Sequence, residues 1–237
     1  MLKNVLVKKP TESSRIKNDL NDESVSPDHI KRIYGLKRAE ILRRLNEFKN
    51  LWVKGRDEEI FGELAFCILT PQSKAKVCCG AIDKLKEKGL LFRGSNEEIR
   101  EEIRKVRFKN KKADYLIKAR NFFSKNGRIC IKSTIGQLKD THQRREWLVK
   151  NITGLGYKEA SHFLRNIGFG EKIAILDRHI MRNLKDLKII KKVPGSLSKT
   201  KYLDMEKKMA SFSRKIDIPL SHLDLTLWYK ETGEILK

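Results

Sequence analysis

Apolar residues recur every three or four positions along most of this chain, which is the spacing of one face of an amphipathic α-helix. The first sustained repeat contains Ile41, Leu45, Phe48 and Trp52, and Gly55 is placed to end that helix. The pattern therefore predicts a helix that begins near residue 41 and closes near residue 55.

Two more helices are predicted before residue 90. One runs through Leu64 and Ile68, and the Thr70-Pro71 step interrupts it. Ser73 is a candidate N-cap for the next helix, which Gly89 would end. We expect a short break at residues 70–73 between two packed helices.

Capping residues mark several of the later helices. Ser95 is followed three residues later by Glu98, which is the capping-box pattern. Another helix is expected over residues 112–123. Two further helices should meet at a hairpin, the first ending at Gly154 and the second beginning just after Gly156.

Helical patterns continue to the end of the chain. Asp177 is a candidate N-cap, and the last helix runs through Trp228. Segments with the alternation typical of strands are too sparse to form a sheet. The predicted fold class is all-α.

Residues 1–30 are polar and lack a sustained apolar period, so we expect a basic N-terminal extension. No apolar run approaches the roughly 20 residues of a membrane span, and the first ten residues lack the apolar core of a signal peptide. We therefore expect a soluble intracellular protein without a membrane partner.

Charge narrows the choice of partner. The 53 Lys and Arg residues exceed the 30 Asp and Glu residues, which leaves a formal net charge of +23. Such an excess favours a polyphosphate chain over a small acidic ligand. Four cysteines form no CxxC pair and no zinc-ligand cluster, so neither a metal nor another cofactor is expected.

The segment from Ile152 to Lys158 carries the most specific signal. Gly154 and Gly156, on either side of Leu155, allow a tight turn whose backbone N–H groups can hold a phosphate without reading the base sequence. The alternative is a plain turn that only connects two helices.

Asp177 follows Lys158 by 19 residues, at the end of an apolar stretch. A lysine amine beside a carboxylate can act as a nucleophile toward a sugar C1′ atom. The alternatives are that Asp177 only caps a helix and that Lys158 only contacts a phosphate.

The motifs GLGYK and ILDRH, at this spacing, resemble those of the helix-hairpin-helix DNA glycosylase superfamily (HhH-GPD), and the lysine-bearing form is similar to its bifunctional glycosylase/AP lyase members. Residues 66–73, 157–165 and 223–237 extend the match. Across roughly residues 35–237 the chain resembles the archaeal-type 8-oxoguanine DNA glycosylases.

This resemblance implies two helical subdomains with a DNA-binding cleft between them. A glycosylase domain would span residues 31–237. Its central helical barrel would cover about residues 65–165, and residues 31–64 and 166–237 would form the second subdomain. The cysteine cluster of the endonuclease III branch is absent, which disfavours the relatives that act on pyrimidine damage.

The resemblance also implies roles for individual residues. Lys158 would be the Schiff-base nucleophile and Asp177 the catalytic acid. Gln72 would enter the base stack, although a solvent-facing helix residue is the alternative. Residues implied in DNA binding are Gly154, Leu155, Gly156, Gln72, Lys74, Arg178 and His179. Residues implied in base recognition are His162, Asp224, Trp228 and Lys237. The alternatives are core packing for His162 and Trp228 and a solvated chain end for Lys237. Further candidate phosphate contacts are Lys76, Lys109, Lys111, Lys112 and Arg182.

The expected function is therefore excision of 8-oxoguanine from duplex DNA by a monomeric enzyme that also cleaves the abasic site by β-elimination. One alternative keeps the enzyme but changes the damaged base. The other is a noncatalytic helix-hairpin-helix module that only binds DNA.

Overall fold

A computed structural model describes residues 25–236 of the 237-residue chain. This part of the protein is mostly helical, as the periodicity predicted. The helices are α1 Pro27–Lys54, α2 Asp57–Leu69, α3 Ala75–Glu87, α4 Leu90–Arg93, α5 Asn96–Glu102, α6 Lys109–Phe123, α7 Ile131–Gly136, α8 Thr141–Asn151, α9 Tyr157–Asn166, α10 Arg178–Asp186, α11 Lys199–Lys215 and α12 Leu220–Thr232.

Among the described residues, strand structure is confined to one small antiparallel hairpin between α6 and α7. It pairs β1, Ser124–Lys125, with β2, Arg128–Ile129. Four residues do not form a layer of the fold, so the all-α assignment is confirmed.

The first helix begins earlier than its apolar repeat indicated. Ser26 caps α1 by accepting a hydrogen bond from the His29 N–H at 3.2 Å, and Pro27 occupies the first turn. Ile30 and Ile33 are fully buried. The boundary predicted at residue 30 therefore lies inside α1. Residues 1–24 of the predicted extension fall outside the described part of the chain.

Capping chemistry sets several other helix boundaries. The capping box at Ser95 is confirmed, because Ser95 Oγ accepts from the Glu98 N–H and Glu98 Oε2 accepts from the Ser95 N–H. The prediction that Ser73 caps the third helix is wrong. The N-cap residue of α3 is Lys74, and Ser73 Oγ instead accepts from the Arg107 N–H at 3.1 Å.

Buried apolar side chains form two main cores. The larger core collects residues between Ile60 and Ile173, and the smaller core collects Ile30 together with residues between Ala174 and Leu227. The chain passes from one core to the other immediately before Asp177.

Two of the approximate subdomain limits predicted from the sequence fall inside helices. A boundary at residues 64–65 lies inside α2, and every residue of α2 from Ile60 to Leu69 is buried. A boundary at residues 165–166 likewise lies inside α9. The chain leaves the larger core after Ile173 and enters the smaller core at Ala174, so this crossing falls in the irregular segment between α9 and α10.

The two ends of the described chain pack together. Helix α12 lies against α1, and Ile41, Leu225 and Ile235 form a small buried cluster between them. Helices α8 and α9 pack on each other, and α9 also packs on α2. No helix within residues 25–236 is long and apolar enough to cross a membrane.

Candidate active site and nucleic-acid interface

The turn between α8 and α9 requires its first glycine. Gly154 has φ 90°, and a Cβ atom there would lie 2.4 Å from Cδ2 of Tyr115. Both the backbone angle and the close approach exclude a larger residue. Gly154 and Gly156 are exposed, whereas Leu155 is buried and anchors the turn.

Two backbone N–H groups of this hairpin have partners inside the protein. The Leu155 N–H donates to the Ile152 carbonyl oxygen at 3.3 Å, and the Gly156 N–H donates to Glu159 Oε2 at 3.2 Å. Helix α9 begins directly afterwards at Tyr157, as predicted. The hairpin is thus a rigid exposed turn at a helix N-terminus.

A cavity of about 820 Å³ opens where the two cores meet. It is bounded by the break before α3, by α9, by the start of α10 and by the end of α12. The predicted site residues that line it are Gln72, Lys74, Lys158, His162, Asp177, Arg178, His179, Asp224 and Trp228. The three hairpin residues predicted to bind DNA lie outside the cavity wall.

Lys158 and Asp177 share this wall. Lys158 lies in the first turn of α9, its side chain is 24% exposed, and its Nζ atom lies 3.7 Å from Glu159 Oε1. Asp177 caps α10, with Oδ1 accepting from the Ile180 N–H at 2.8 Å. Capping and a place in the cavity are therefore compatible roles for Asp177, because the cap uses one carboxylate oxygen.

Asp224 is buried beside these residues. Its Oδ2 atom lies 3.4 Å from Nη1 of Arg165, a second buried side chain on the cavity wall. Burial, together with the negative charge of Asp177, raises the pKa of Asp224 to about 6, against the lowering effect of the Arg165 charge.

Aromatic rings form part of the same wall. His162 is buried and meets Phe66 edge to face, with ring centroids 5.5 Å apart. Trp228 meets His179 in the same way at 5.4 Å. The indole Nε1 of Trp228 is buried and has no hydrogen-bond partner among residues 25–236.

His179 also joins a polar cluster next to the cavity. Its Nδ1 atom lies 2.8 Å from Nη2 of Arg182 and 3.4 Å from Oε2 of Glu231 on α12. Arg178 is exposed beside it. This arrangement ties the helix that Asp177 caps to the last helix of the chain.

The break between α2 and α3 presents Gln72 at the cavity mouth. Gln72 is exposed and adopts φ 54°, an uncommon conformation for a residue with a side chain. The turn that holds Gln72 in this conformation is fixed by a buried lysine. Lys112 Nζ donates to the carbonyl oxygens of Leu69 and Pro71, both at 2.7 Å, and to Ser73 Oγ at 3.2 Å.

Lys112 is therefore not the phosphate contact that the sequence indicated. Its amine donates its hydrogen bonds to the turn between α2 and α3, and its side chain is buried. Lys74 and Lys76 in contrast are exposed at the cavity rim. Lys237 falls outside the described residues, although Leu236 lines the cavity.

A family model described as 8-oxoguanine DNA glycosylase matches residues 41–218. The chain belongs to this family. It is 48% identical over 210 residues to an 8-oxoguanine DNA glycosylase/AP lyase of Fusobacterium nucleatum, covering 89% of this chain and 97% of that protein. It is 42% identical to the protein of the same name from Methanocaldococcus jannaschii, covering 88% and 99%.

Solved structures of the 8-oxoguanine DNA glycosylase family share the fold. A crystal structure of the Methanocaldococcus jannaschii 8-oxoguanine glycosylase/lyase in complex with a 15mer DNA containing 8-oxoguanine gives a TM-score of 0.79 at 37% identity, covering 88% of this chain and 99% of that one. The Thermotoga maritima 8-oxoguanine DNA glycosylase gives 0.78 at 31% identity, covering 95% and 100%.

For this 8-oxoguanine DNA glycosylase family member, sequence reasoning missed Arg165 and the structural role of Lys112. Lys112 lies on the face of α6 that buries Leu116 and Phe123, which was the available signal. Arg165 lies one turn after Ser161 and His162, on a polar face of α9, and gave no such signal. Each has its charge satisfied by groups distant in sequence, so its partner could not be named from the local pattern.

Proposed function

We propose that this protein removes 8-oxoguanine from duplex DNA and then cleaves the resulting abasic site. Relatives that match nearly their whole length are named 8-oxoguanine DNA glycosylase/AP lyase, and one structural neighbour is bound to DNA containing 8-oxoguanine. The observation that carries the proposal is that Lys158 and Asp177 line one cavity beside an exposed glycine hairpin.

DNA binds across the cleft in this proposal. The exposed turn at Gly154 and Gly156, next to the N-terminus of α9, favours a backbone phosphate. Lys74 and Arg178 extend a positive rim around the cavity, and the Lys76 amine beside them is paired with Glu234 at 2.6 Å. Because these contacts are to phosphates, they bind DNA with little dependence on sequence.

The damaged nucleotide must leave the stack, because a glycosidic bond inside a duplex is inaccessible. The cavity of about 820 Å³ is large enough for one extruded nucleotide. Gln72, which is exposed at the cavity mouth, fills the gap that the extruded nucleotide leaves in the DNA duplex. Trp228 and His162 contact the extruded base from the cavity wall.

Lys158 then attacks C1′ of the sugar. Its amine must first lose a proton, and the carboxylates of Glu159 and Asp177 lie on the same wall. The new C1′–N bond replaces the glycosidic bond, and the base leaves with a proton. Asp177 stabilises the positive character that develops on the sugar as the bond breaks.

Strand cleavage follows from the covalent intermediate. Cleavage of the C1′–O4′ bond, with a proton passing to O4′, opens the sugar and turns the C1′–N bond into an imine. The imine acidifies the C2′ proton, and loss of that proton expels the 3′ phosphate by β-elimination. Hydrolysis of the remaining imine frees Lys158. The lysine therefore serves both steps, and the protein acts as a monomer.

Borohydride trapping tests this proposal. Borohydride reduces an imine to a stable amine, so the native protein should become covalently linked to DNA that contains 8-oxoguanine. Lys158→Gln should form no adduct but still bind the duplex, because the hairpin and the basic rim remain. Lys207→Gln, an exposed substitution on α11, is the matched control and should trap normally.

Trapping that persists in Lys158→Gln would remove that lysine from the nucleophile role. Duplexes carrying other damaged bases test the alternative substrates in the same assay. Faster excision of any of them than of 8-oxoguanine would contradict the proposed substrate.

A further inference from the structure

A buried polar cluster lies where the two cores meet, outside the residues that line the cavity. Arg145 on α8 and Glu206 on α11 form a bidentate ion pair, with nitrogen–oxygen distances of 2.6 and 2.8 Å. Their side chains are only 1% and 8% exposed. Tyr202 and Ser161 complete this group, which we call the Arg145 cluster.

One side of the cluster holds the helix of the nucleophile. Ser161 is fully buried one turn after Lys158 in α9. Its Oγ atom accepts a hydrogen bond from Arg145 Nη1 at 3.2 Å and lies 3.3 Å from the Tyr202 hydroxyl oxygen. The position of α9 along and about its own axis is thus fixed in part by contacts with the buried side chains of Arg145 and Tyr202.

The other side holds the segment that leads to Asp177. Glu206 Oε1 accepts from the Ala174 N–H at 2.8 Å. The Tyr202 hydroxyl donates to the Ala174 carbonyl oxygen at 2.7 Å and accepts from the Leu176 N–H at 3.3 Å. These buried peptide groups belong to neither a helix nor a strand, so side chains must satisfy them.

A buried ion pair is expensive to desolvate and often contributes little net stability. This one, however, makes hydrogen bonds to both chain segments that deliver the reacting groups. The same Tyr202 oxygen lies within 3.3 Å of Ser161 and of the backbone before Asp177.

We propose that the Arg145 cluster positions Asp177 relative to Lys158, and that its members are positioning residues for base excision. The inference rests on the proposed function, because it assigns those two residues to the reaction. Reacting groups must be held within a fraction of an ångström, and a displacement of about 1 Å can cost about 100-fold in rate.

Tyr202→Phe tests the inference with the smallest change. It removes one hydroxyl and keeps the buried ring, and Tyr202 does not line the cavity. The rate of 8-oxoguanine removal in a single turnover, at saturating enzyme, should fall about tenfold or more. The dissociation constant for the duplex should change less than about twofold, because the phosphate contacts are intact.

Ser213→Ala is the matched control. Ser213 lies on the same helix, is buried, and donates its hydroxyl to the Ile218 carbonyl oxygen at 2.6 Å, away from both reacting residues. Its loss should lower the melting temperature by a similar amount but leave the excision rate nearly unchanged. Equal loss of rate in Tyr202→Phe and Ser213→Ala would overturn the inference, because general destabilisation would then explain both.

Ser161→Ala breaks the cluster at a second residue. Since Ser161 Oγ and the Tyr202 hydroxyl belong to one contact between α9 and the segment before Asp177, the effects of the two variants on the excision rate should combine to less than their product. Full activity of both folded single variants would also overturn the inference.

Amide hydrogen exchange separates this inference from the proposed function. Tyr202→Phe should speed exchange at the Leu176 N–H, whatever base the protein removes. Unchanged exchange there would contradict the inference, whereas failed borohydride trapping by the native protein would contradict the proposed function.

Discussion

Arg165 Nη1 lies 3.4 Å from Asp224 Oδ2, and this buried pair borders the cavity that Lys158 and Asp177 share. The pair carries opposite charges, yet the arginine does not offset the cost of burying the carboxylate. The pKa of Asp224 is raised to about 6 mainly by burial, with the nearby Asp177 charge acting in the same direction.

Asp224 should therefore make the stability of the protein depend on pH. Below about pH 4 the carboxyl is protonated in both folded and unfolded chains. Between about pH 4 and 6 the unfolded chain releases the proton first, so the free energy of unfolding falls as the pH rises. Above about pH 6, the pKa of Asp224 in the folded protein, the free energy of unfolding no longer falls on account of this carboxyl.

Asp224→Asn should remove this dependence while keeping an oxygen that can accept from Arg165. Urea unfolding at several pH values measures it: the stability of the native protein relative to the variant should decline from pH 4 to pH 6 and then level off. Asp83→Asn, on the exposed face of α3, is the control. Stability curves of native protein and Asp224→Asn that run parallel would contradict the prediction.

Asp177→Asn should separate chemistry from capping. Asparagine can still accept from the Ile180 N–H, so the melting temperature should change little. The charge that stabilises the transition state is lost, and the single-turnover excision rate should fall by about 100-fold or more.

Asp140 provides a matched control because it caps α8 in the same way, accepting from the Gln143 N–H at 2.9 Å, but does not line the cavity. Asp140→Asn should excise the base at the native rate. A lower melting temperature with native activity in Asp177→Asn would leave Asp177 as a helix cap alone.

Gly154→Ala should damage the hairpin. The new methyl group would meet the Tyr115 ring at 2.4 Å in a backbone conformation of φ 90°. Strain of this kind costs about 1–3 kcal/mol, and the displaced turn should bind duplex DNA more weakly.

Thermal unfolding and a DNA titration measure the two effects of Gly154→Ala. Gly195→Ala serves for comparison, because a Cβ there meets nothing within 4 Å. Native affinity in the Gly154→Ala variant would argue against the hairpin as a phosphate contact.

Local sequence signals determined the helical fold class and several helix boundaries of this protein. The helical period indicated an all-α chain, the capping pattern placed the helix at Ser95, and Asp177 was identified as an N-cap. These features depend on residues within one or two turns of each other, so the sequence contains the whole interaction. Gly154 is informative for the same reason, because its positive φ of 90° is a local requirement.

Tertiary structure decided what distant residues do to one another. The sequence suggests that Lys112 is a surface cation. In the structure its amine instead donates hydrogen bonds to carbonyl oxygens 41 and 43 residues away. Arg145 and Glu206, 61 residues apart, carry no local sign that they form one buried pair. Burial and long-range hydrogen bonding exist only once the cores have assembled, and the pKa of Asp224 depends on that assembly. The sequence alone could therefore single out Lys158 and Asp177 as candidates, whereas the fold decides which buried groups contact the segments that carry them.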